Sequence, residues 1–310
     1  MLRSFDAQMM MSTPPVSVYI PAYNVAEFLP QSIESLLAQT LTPDEILVID
    51  DGSRDASAEI AARYPQVTLI RHEQNRGLAA ARNTAFRSAR NEFVASLDAD
   101  CVADPGWLAA LVPNLSDPQI AGAGGRLVEG VHRTVADRWR AAHMPQEWGA
   151  EPIDNPKFLF GCNNLFRKSA VLAAGGYDEA MRTNGEDADL CRKLRDRGWN
   201  LLYDPKARAT HLRRDTTRSI LDACWRWLLF GSRWYPKGMS LRSVAGYALK
   251  IHTRYFAQLV RSDLRARRFE LLGIDFLTLL YFPYREFRLW RLSRTNPAAL
   301  PSHIPHTPAQ

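Results

Sequence analysis

Short apolar runs alternate with helix-like segments through the first 130 residues, and this alternation constrains the fold more than any other feature. The runs predict five strands, over residues 16–20, 45–49, 67–72, 92–98 and 120–128. The first strand is predicted to stop at Pro21, and Asn24 to cap the helix that follows it. Three more helices are predicted to begin near Asp55, Arg76 and Asp104. Strands separated by helices indicate a mostly parallel sheet covered on both faces, so we predict an α/β fold.

Polar side chains follow three of the predicted strands at the point where each ends. Tyr23 follows the first strand, Asp51 follows the second, and Asp98 and Asp100 follow the fourth. Ligands of open parallel sheets bind at the carboxyl ends of the strands. One acidic turn would be unremarkable, but three polar clusters at one sheet edge predict a single site.

The two carboxylates of the segment SLDAD suggest a metal ion. Asp98 and Asp100 would repel each other unless a cation lies beside them, and Mg²⁺ or Mn²⁺ commonly binds through one or two carboxylates together with phosphates. An isolated Asp-x-Asp motif is common by chance. The motif alone therefore does not distinguish a metal site from an ordinary surface turn.

Six segments, taken together, resemble glycosyltransferase family 2 in order and spacing: VSVYIPAYN, ILVIDDGSRD, NRGLAAARNTA, SLDAD, GGY and GEDADL. The resemblance covers roughly residues 15–215. It implies an inverting transferase of the GT-A fold that uses a nucleotide diphosphosugar, usually uridine-based, with Mn²⁺ or Mg²⁺. It also suggests a role in cell-envelope polysaccharide or glycolipid synthesis.

The resemblance implies donor-site roles for seven positions. Pro21, Ala22 and Tyr23 would line the nucleobase, Asp51 would hydrogen-bond it, Arg82 would lie near the phosphates, Asp98 would contact the ribose or sugar, and Asp100 would bind the metal. A histidine at the position of His211 contacts the metal or diphosphate in many relatives, and a structural histidine is the alternative.

On the acceptor side, the resemblance makes Asp187 of the GED motif the general base. A base must take the proton of the acceptor hydroxyl as the new bond forms, and the predicted helix over 186–197 would favour a carboxylate at its start. Glu186 and, in the GCNN segment, Asn163 and Asn164 are predicted to contact the acceptor or sugar. Three further residues are predicted to line the acceptor cleft: His143, Gln146 and Trp148.

One departure from the family pattern favours single transfer over polymer synthesis. Processive members carry Gln-x-x-Arg-Trp after the base. Here Arg226 and Trp227 stand at suitable spacing, but Ala223 replaces the glutamine. Trp227 is still predicted to contact the acceptor.

The charge changes sign along the chain. Residues 206–310 contain 19 Lys and Arg against 6 acidic residues, whereas residues 1–205 contain 20 against 27. We predict a flexible tail over 1–14, a catalytic domain over 15–216 with its donor half at 15–126 and acceptor half at 127–216, and a basic helical region over 217–310. Helices are expected over 219–230, 241–260 and 264–292.

The basic region predicts a peripheral contact with anionic membrane lipid. The most apolar stretch, LLGIDFLTLLYFPY, has fourteen residues and includes Asp275, so it is too short to span a bilayer. Arginines mixed with aromatics after it are typical of helices that lie on membranes. A solvated helical face and packing against the catalytic domain stay open. No nucleic-acid-binding motif accompanies the charge.

Four scattered cysteines and no signal-peptide pattern predict a cytoplasmic protein, and a peripheral position on the inner face of the cytoplasmic membrane is left open. Homo-oligomer formation is left open. Alternatives are transfer to a polyprenyl phosphate and a non-catalytic sugar-nucleotide-binding protein. A dinucleotide oxidoreductase is excluded, because Leu127 stands where GAGGRL would need its third glycine.

Overall fold

A computed structural model of the chain describes residues 14–181, 184–232 and 240–295, and the side chains at 230–232 are not described. The tail predicted over 1–14 lies outside the described residues except for its last position. The described chain contains nine strands, which are β1 Val16–Ala22, β2 Glu45–Asp50, β3 Val67–Arg71, β4 Phe93–Leu97, β5 Cys101–Ala103, β6 Ile120–Glu129, β7 Ile153–Asp154, β8 Asn163–Arg167 and β9 Asn200–His211.

The strands form one mixed sheet in the order β3-β2-β1-β4-β8-β6-β9-β5, with β7 paired to β9. Strands β3, β2, β1 and β4 are parallel, as the alternating pattern predicts, and β6 is parallel to β9. Strand β8 joins antiparallel between β4 and β6. The predicted α/β fold with a mostly parallel central sheet is therefore confirmed.

Ten α-helices are described within the same residues, namely α1 Leu29–Leu37, α2 Ser57–Ala61, α3 Leu78–Ser88, α4 Trp107–Leu111, α5 Val135–His143, α6 Lys168–Ala173, α7 Glu186–Arg195, α8 Thr217–Ser232, α9 Leu241–Arg265 and α10 Leu272–Thr295. The three helices expected after residue 217 are present. The first differs from its predicted bounds by two residues at each end, the second ends five residues later than predicted, and the third begins eight residues later than predicted. No helix of the described ranges is long and apolar enough to cross a membrane.

Helices cover both faces of the sheet. Alternate strand residues point to opposite sides, and both sides carry apolar side chains that pack against helices. On one face, Val18 and Ile20 of β1 pack with apolar side chains of α1, α2 and α4. On the other face, Tyr19 packs with α3, α6 and α7. A third apolar cluster joins α5 to α8, α9 and α10, so the C-terminal helices are attached through α5.

Two expectations about the first turn are wrong. Strand β1 continues through Pro21, which pairs with Ile49 of β2. Strand β4 pairs with β1 only as far as Tyr19, so at Pro21 the strand has a partner on one side only, where a proline is tolerated. Asn24 does not cap α1: its φ is 53° and its side chain accepts a hydrogen bond from the Arg54 N–H.

Candidate active site

The carboxyl ends of β2, β1 and β4 lie side by side, and the polar residues that follow them meet at this edge. Ala22 is in register with Asp50, and the Asp51 N–H donates to the Ala22 carbonyl. Tyr23 is 44% exposed, so its ring is available to a planar ligand. The structure therefore places Tyr23 and Asp51 next to each other at the sheet edge that the sequence predicts as a binding site.

Asp51 is buried and holds the loop that leads into α3. Its carboxylate accepts hydrogen bonds from the backbone N–H groups of Arg76, at 2.9 Å, and Gly77, at 2.7 Å. It also lies 2.7 Å from Nδ1 of His72. Both oxygens are thus engaged by the protein, and Asp51 fixes the loop beside the site in this structure. Its predicted contact with a base stays a prediction.

Arg82 of α3 connects the two acidic motifs. It is 2% exposed, one guanidinium nitrogen lies 3.2 Å from Asp98, and Nε lies 3.9 Å from Glu186. The guanidinium is also 5.6 Å from the centre of the Tyr177 ring. The Gly161 backbone lies so close to the Arg82 guanidinium that a Cβ added at Gly161 would be 2.0 Å from it. A buried cation held in this way provides fixed positive charge beside the acidic residues.

His211 lies between two carboxylates at the end of β9. Its Nε2 is 3.1 Å from Asp100, and its Nδ1 is 3.0 Å from Glu129. Strand pairing sets this geometry, since Glu129 and Cys101 are both in register with His211. Burial acts to lower the pKa of His211, but the two carboxylates outweigh burial and raise that pKa to about 10. Burial acts to raise the pKa of Asp100, but His211 lowers it to about 2.

The donor groups at this point fit a divalent metal. Asp100, Cys101 and His211 offer ligand atoms within 4.8 Å of one another. With a pKa of about 10, His211 carries protons on both ring nitrogens at neutral pH in the metal-free protein, so a metal would have to displace the Nε2 proton. Nδ1 would still donate to Glu129, which is the arrangement that orients metal-binding histidines. The hydrogen bond to Cys162 and burial raise the pKa of the Cys101 thiol well above its usual value, so Cys101 is a poor ligand beside the other two.

Asp187 and Glu186 begin α7 in different surroundings. Asp187 is partly exposed and accepts hydrogen bonds from the backbone N–H groups of Gly161, at 3.2 Å, and Ala188, at 2.7 Å. Burial raises the pKa of Asp187, against the opposing effect of Arg82. Glu186 is 3% exposed, and burial and the Asp187 charge raise its pKa to about 7.

Electrostatic coupling joins the two acidic motifs into one site. Burial raises the pKa of Asp98, Arg82 lowers it, and the charges of Asp100, His211 and Asp187 act on the same carboxyl group. Residues more than 80 positions apart in the chain therefore surround one point at the sheet edge.

Asn163 and Asn164 are buried in the sheet. Asn163 is 0% exposed; its amide donates to the carbonyls of Arg126 and Ala207, and its oxygen accepts from the Trp107 indole. These hydrogen bonds occupy the side chain, so the predicted contact of Asn163 with a sugar is corrected to a structural role. Asn164 is 1% exposed and donates to the Phe160 carbonyl.

The predicted acceptor-cleft residues lie in several places. His143 lies 2.9 Å from Asp263 of α9, and Trp227 packs against the cluster of C-terminal helices. Trp148 packs against Phe158 and donates to its carbonyl. Among the described residues, the structure pairs His143 with Asp263 and gives Trp148 and Trp227 packing contacts. Their predicted contact with an acceptor stays a prediction.

Three contributors to the site were not predicted from the sequence. Glu129 orients His211, His72 contacts Asp51, and the Gly161 N–H holds Asp187. Glu129 ends the glycine-rich strand β6, but nothing in the local sequence shows that β6 pairs with β9. The pairing joins residues 82 positions apart, so its signal lies in the fold.

Residues 17–173, about half of the chain, match the family described as Glycosyl transferase family 2. The chain belongs to this family, which confirms the resemblance recognised in its motifs.

Curated relatives carry names of the same class. The chain is 32% identical over 211 residues to the pre-mycofactocin glycosyltransferase of Mycobacterium tuberculosis, a match that covers 66% of this chain and 44% of the relative. It is 25% identical over 245 residues to the glucosyl-dolichyl phosphate glucuronosyltransferase of Haloferax volcanii, covering 71% of this chain and 74% of the relative. The chain thus spans about half the length of the first of these relatives.

A solved structure supports the fold. The mannosyltransferase PcManGT from Pyrobaculum calidifontis, determined in complex with GDP-Man and Mn²⁺, superposes with a TM-score of 0.57 at 19% identity. The match covers 91% of this chain and 85% of that one. At 19% identity this superposition is evidence for the fold alone, which is GT-A-like.

Proposed function

We propose that this protein transfers one sugar from a nucleotide diphosphosugar to an acceptor hydroxyl and inverts the anomeric carbon. The observation that carries the proposal is the convergence of Asp98, Asp100, His211 and Asp187 on one point beside the buried Arg82. This arrangement offers metal ligands, a fixed cation and a partly exposed carboxylate, which are the groups that such a transfer requires.

The donor is proposed to be uridine-based. Tyr23 directly follows β1, after Pro21 and Ala22, and offers an exposed ring on which the base can stack. Asp51 fixes the loop beside this position. Asp98 takes the ribose or sugar hydroxyls, because carboxylate oxygens accept their hydrogen bonds.

Mn²⁺ or Mg²⁺ would be held by Asp100 and His211, with Glu129 orienting the histidine. When bound, such an ion neutralises the negative charge that develops on the departing diphosphate. Arg82 contributes a second positive charge close by, and its burial keeps that charge in a fixed place.

Asp187 acts as the general base. It is partly exposed, its carboxylate is held by two backbone N–H groups, and it removes the proton of the acceptor hydroxyl as that oxygen attacks the anomeric carbon. A single displacement of this kind inverts the configuration. The neighbouring Glu186 is 3% exposed and lies 3.9 Å from Arg82, so it is less accessible to an acceptor hydroxyl, and this burial makes it the weaker candidate.

The acceptor is proposed to be a sugar or a lipid-linked sugar used in envelope polysaccharide or glycolipid synthesis. The name of the Haloferax volcanii relative includes a dolichyl phosphate-linked sugar, which supports a lipid-linked acceptor. A peripheral position on the inner face of the cytoplasmic membrane would bring such an acceptor to the site.

Calorimetric titration of UDP tests the metal and donor assignments together. The Asp100→Ala variant should lose affinity for UDP in the presence of Mn²⁺ by about tenfold or more, equivalent to roughly 1.4 kcal/mol. Asp104→Ala is the matched control, because the Asp104 side chain is 44% exposed and lies 3.7 Å from Arg208, which is not one of the proposed site residues. Equal affinities of wild type and Asp100→Ala, with and without chelator, would refute the metal assignment.

A further inference from the structure

The outward side of α10 is apolar over most of its length. Phe276, Leu280 and Tyr284 follow one another at intervals of four residues and are 58%, 73% and 55% exposed. Two neighbours on the same side extend the stripe, Leu277 and Phe287. Exposed apolar residues are normally scattered, and a continuous stripe marks an interaction site.

The inward side of the same helix carries its acidic groups. Asp275 is 0% exposed and accepts a hydrogen bond from the Trp139 indole, and Glu286 is 3% exposed and lies 2.8 Å from His252. Helix α10 therefore buries carboxyl groups while it exposes large apolar side chains. This is the reverse of the pattern that a helix on a water-facing surface shows.

Helix α9 extends the apolar surface. The Phe256 ring lies 5.0 Å from the Phe276 ring, so the two helices meet along this side. Leu249, seven residues before Phe256 and on the same face of α9, is 69% exposed. We call Leu249, Phe256, Phe276, Leu280 and Tyr284 the α9–α10 face.

The surroundings of the α9–α10 face are strongly basic. Residues 240–295 contain eleven Lys and Arg against four acidic residues. Three of the four acidic residues are buried, namely Asp263, Asp275 and Glu286. Beyond the apolar stripe, the exposed positions of α10 continue with arginines, at 288, 291 and 294.

We propose that the α9–α10 face docks on an anionic lipid bilayer, with its apolar side chains among the acyl chains and its arginines at the headgroups. Apolar side chains flanked by basic residues match the two layers of such a surface. A second copy of this chain is a poorer fit, because two-fold pairing would bring two basic surfaces together. The proposal names the surface for the peripheral membrane position included in the proposed function and rests on it in that respect, but it does not depend on the transfer reaction.

Co-sedimentation with vesicles tests the proposal. The full chain should pellet with phosphatidylglycerol–phosphatidylcholine vesicles at low salt and much less with pure phosphatidylcholine. Leu280→Glu should lower the bound-to-free ratio about tenfold or more, since it places a charge in the apolar stripe. Leu172→Glu on α6 is the matched control: Leu172 is 45% exposed and lies outside the α9–α10 face, so this variant should bind as wild type.

Three results would overturn the proposal. Wild type could remain in the supernatant, or Leu280→Glu could bind vesicles as well as wild type does. The third result is a dimer, seen by light scattering, that Leu280→Glu dissociates while neither protein binds vesicles. UDP titration of the same samples separates this question from the proposed activity, because the α9–α10 face lies outside the nucleotide site.

Discussion

At the scale of single residues, the acidic pair that begins α7 shows how the fold separates two neighbouring carboxyl groups. Glu186 is enclosed and lies 3.9 Å from Arg82, and its second oxygen has no hydrogen-bond partner among the described residues. Asp187 is partly exposed and held by backbone N–H groups. The motif identifies the pair, and the difference in burial indicates which member is available to an acceptor.

Asp187→Asn should reduce the release of nucleoside diphosphate from the donor by about 10²- to 10⁴-fold, because the amide keeps the shape and cannot accept the proton. Affinity for UDP should change little. Asp196→Asn, at the exposed end of the same helix, should keep wild-type turnover. Near-normal turnover by Asp187→Asn would remove Asp187 from the role of base.

Glu186 should make stability depend on pH in a defined direction. Its pKa is raised from 4.5 to about 7 in the folded protein, so between these values the unfolded chain releases the proton first and stability falls as pH rises. Glu186→Gln lacks this titration, so its free energy of unfolding relative to that of wild type should increase as pH rises from about 4.5 to about 7. The increase should be roughly 3 kcal/mol at most.

Urea unfolding of both metal-free proteins across this pH range measures the difference, in which contributions from other titrating groups largely cancel. A difference in unfolding free energy that stays constant from pH 4.5 to pH 7 would show that Glu186 is not buried as described.

At the scale of elements, β9 connects the site to the C-terminal helices. Its last residue is His211, and Asp215, a few positions on, pairs with Arg140 of α5. The Asp215 N–H donates to Asp137, which also takes part in the capping box of α5. The helices are thus attached within four residues of a proposed metal ligand.

The contact between β6 and β9 depends on a glycine. A Cβ on Gly125 would lie 1.8 Å from the Ala207 carbonyl oxygen and 2.7 Å from the Asn163 side chain. Gly125→Ala should therefore lower the free energy of unfolding by about 3 kcal/mol. Gly246→Ala in α9 is the opposite case, since nothing lies within 4 Å of the added Cβ, and it should stabilise by about 1 kcal/mol.

Urea denaturation measures both glycine variants. If Gly125→Ala unfolds at the same urea concentration as wild type, the close approach of β6 and β9 is incorrect.

The elements also show how far sequence patterns reach. The parallel strands β1 to β4 and the polar residues at their ends were predicted, because both depend on short-range alternation and on motifs. The positions of β8 between β4 and β6, and of β6 beside β9, were not predicted. These pairings join distant residues, and they decide that Glu129 meets His211 and that Asn163 is buried.

At the scale of the whole molecule, the change in charge along the chain corresponds to a division of structure. The acidic first part, residues 1–205, contains strands β1 to β8 and most of the site. The basic last part, residues 206–310, contains the end of β9 with His211, and then α8, α9 and α10. The sequence predicted the helices and their charge. It did not predict that the acidic side chains of α10 point towards the other helices. Their orientation depends on contacts with Trp139 of α5 and His252 of α9.

Comparison of diphosphate with monophosphate binding tests the central claim most directly. The site is proposed to hold a diphosphate through a metal at Asp100 and His211 and through Arg82. Titration of a panel of nucleotide diphosphosugars, UDP and UMP should give affinities for UDP and at least one diphosphosugar that exceed that for UMP about tenfold or more in Mn²⁺, and chelation should remove the difference. Equal affinities for UDP and UMP in Mn²⁺, or no binding of any diphosphosugar, would contradict the account.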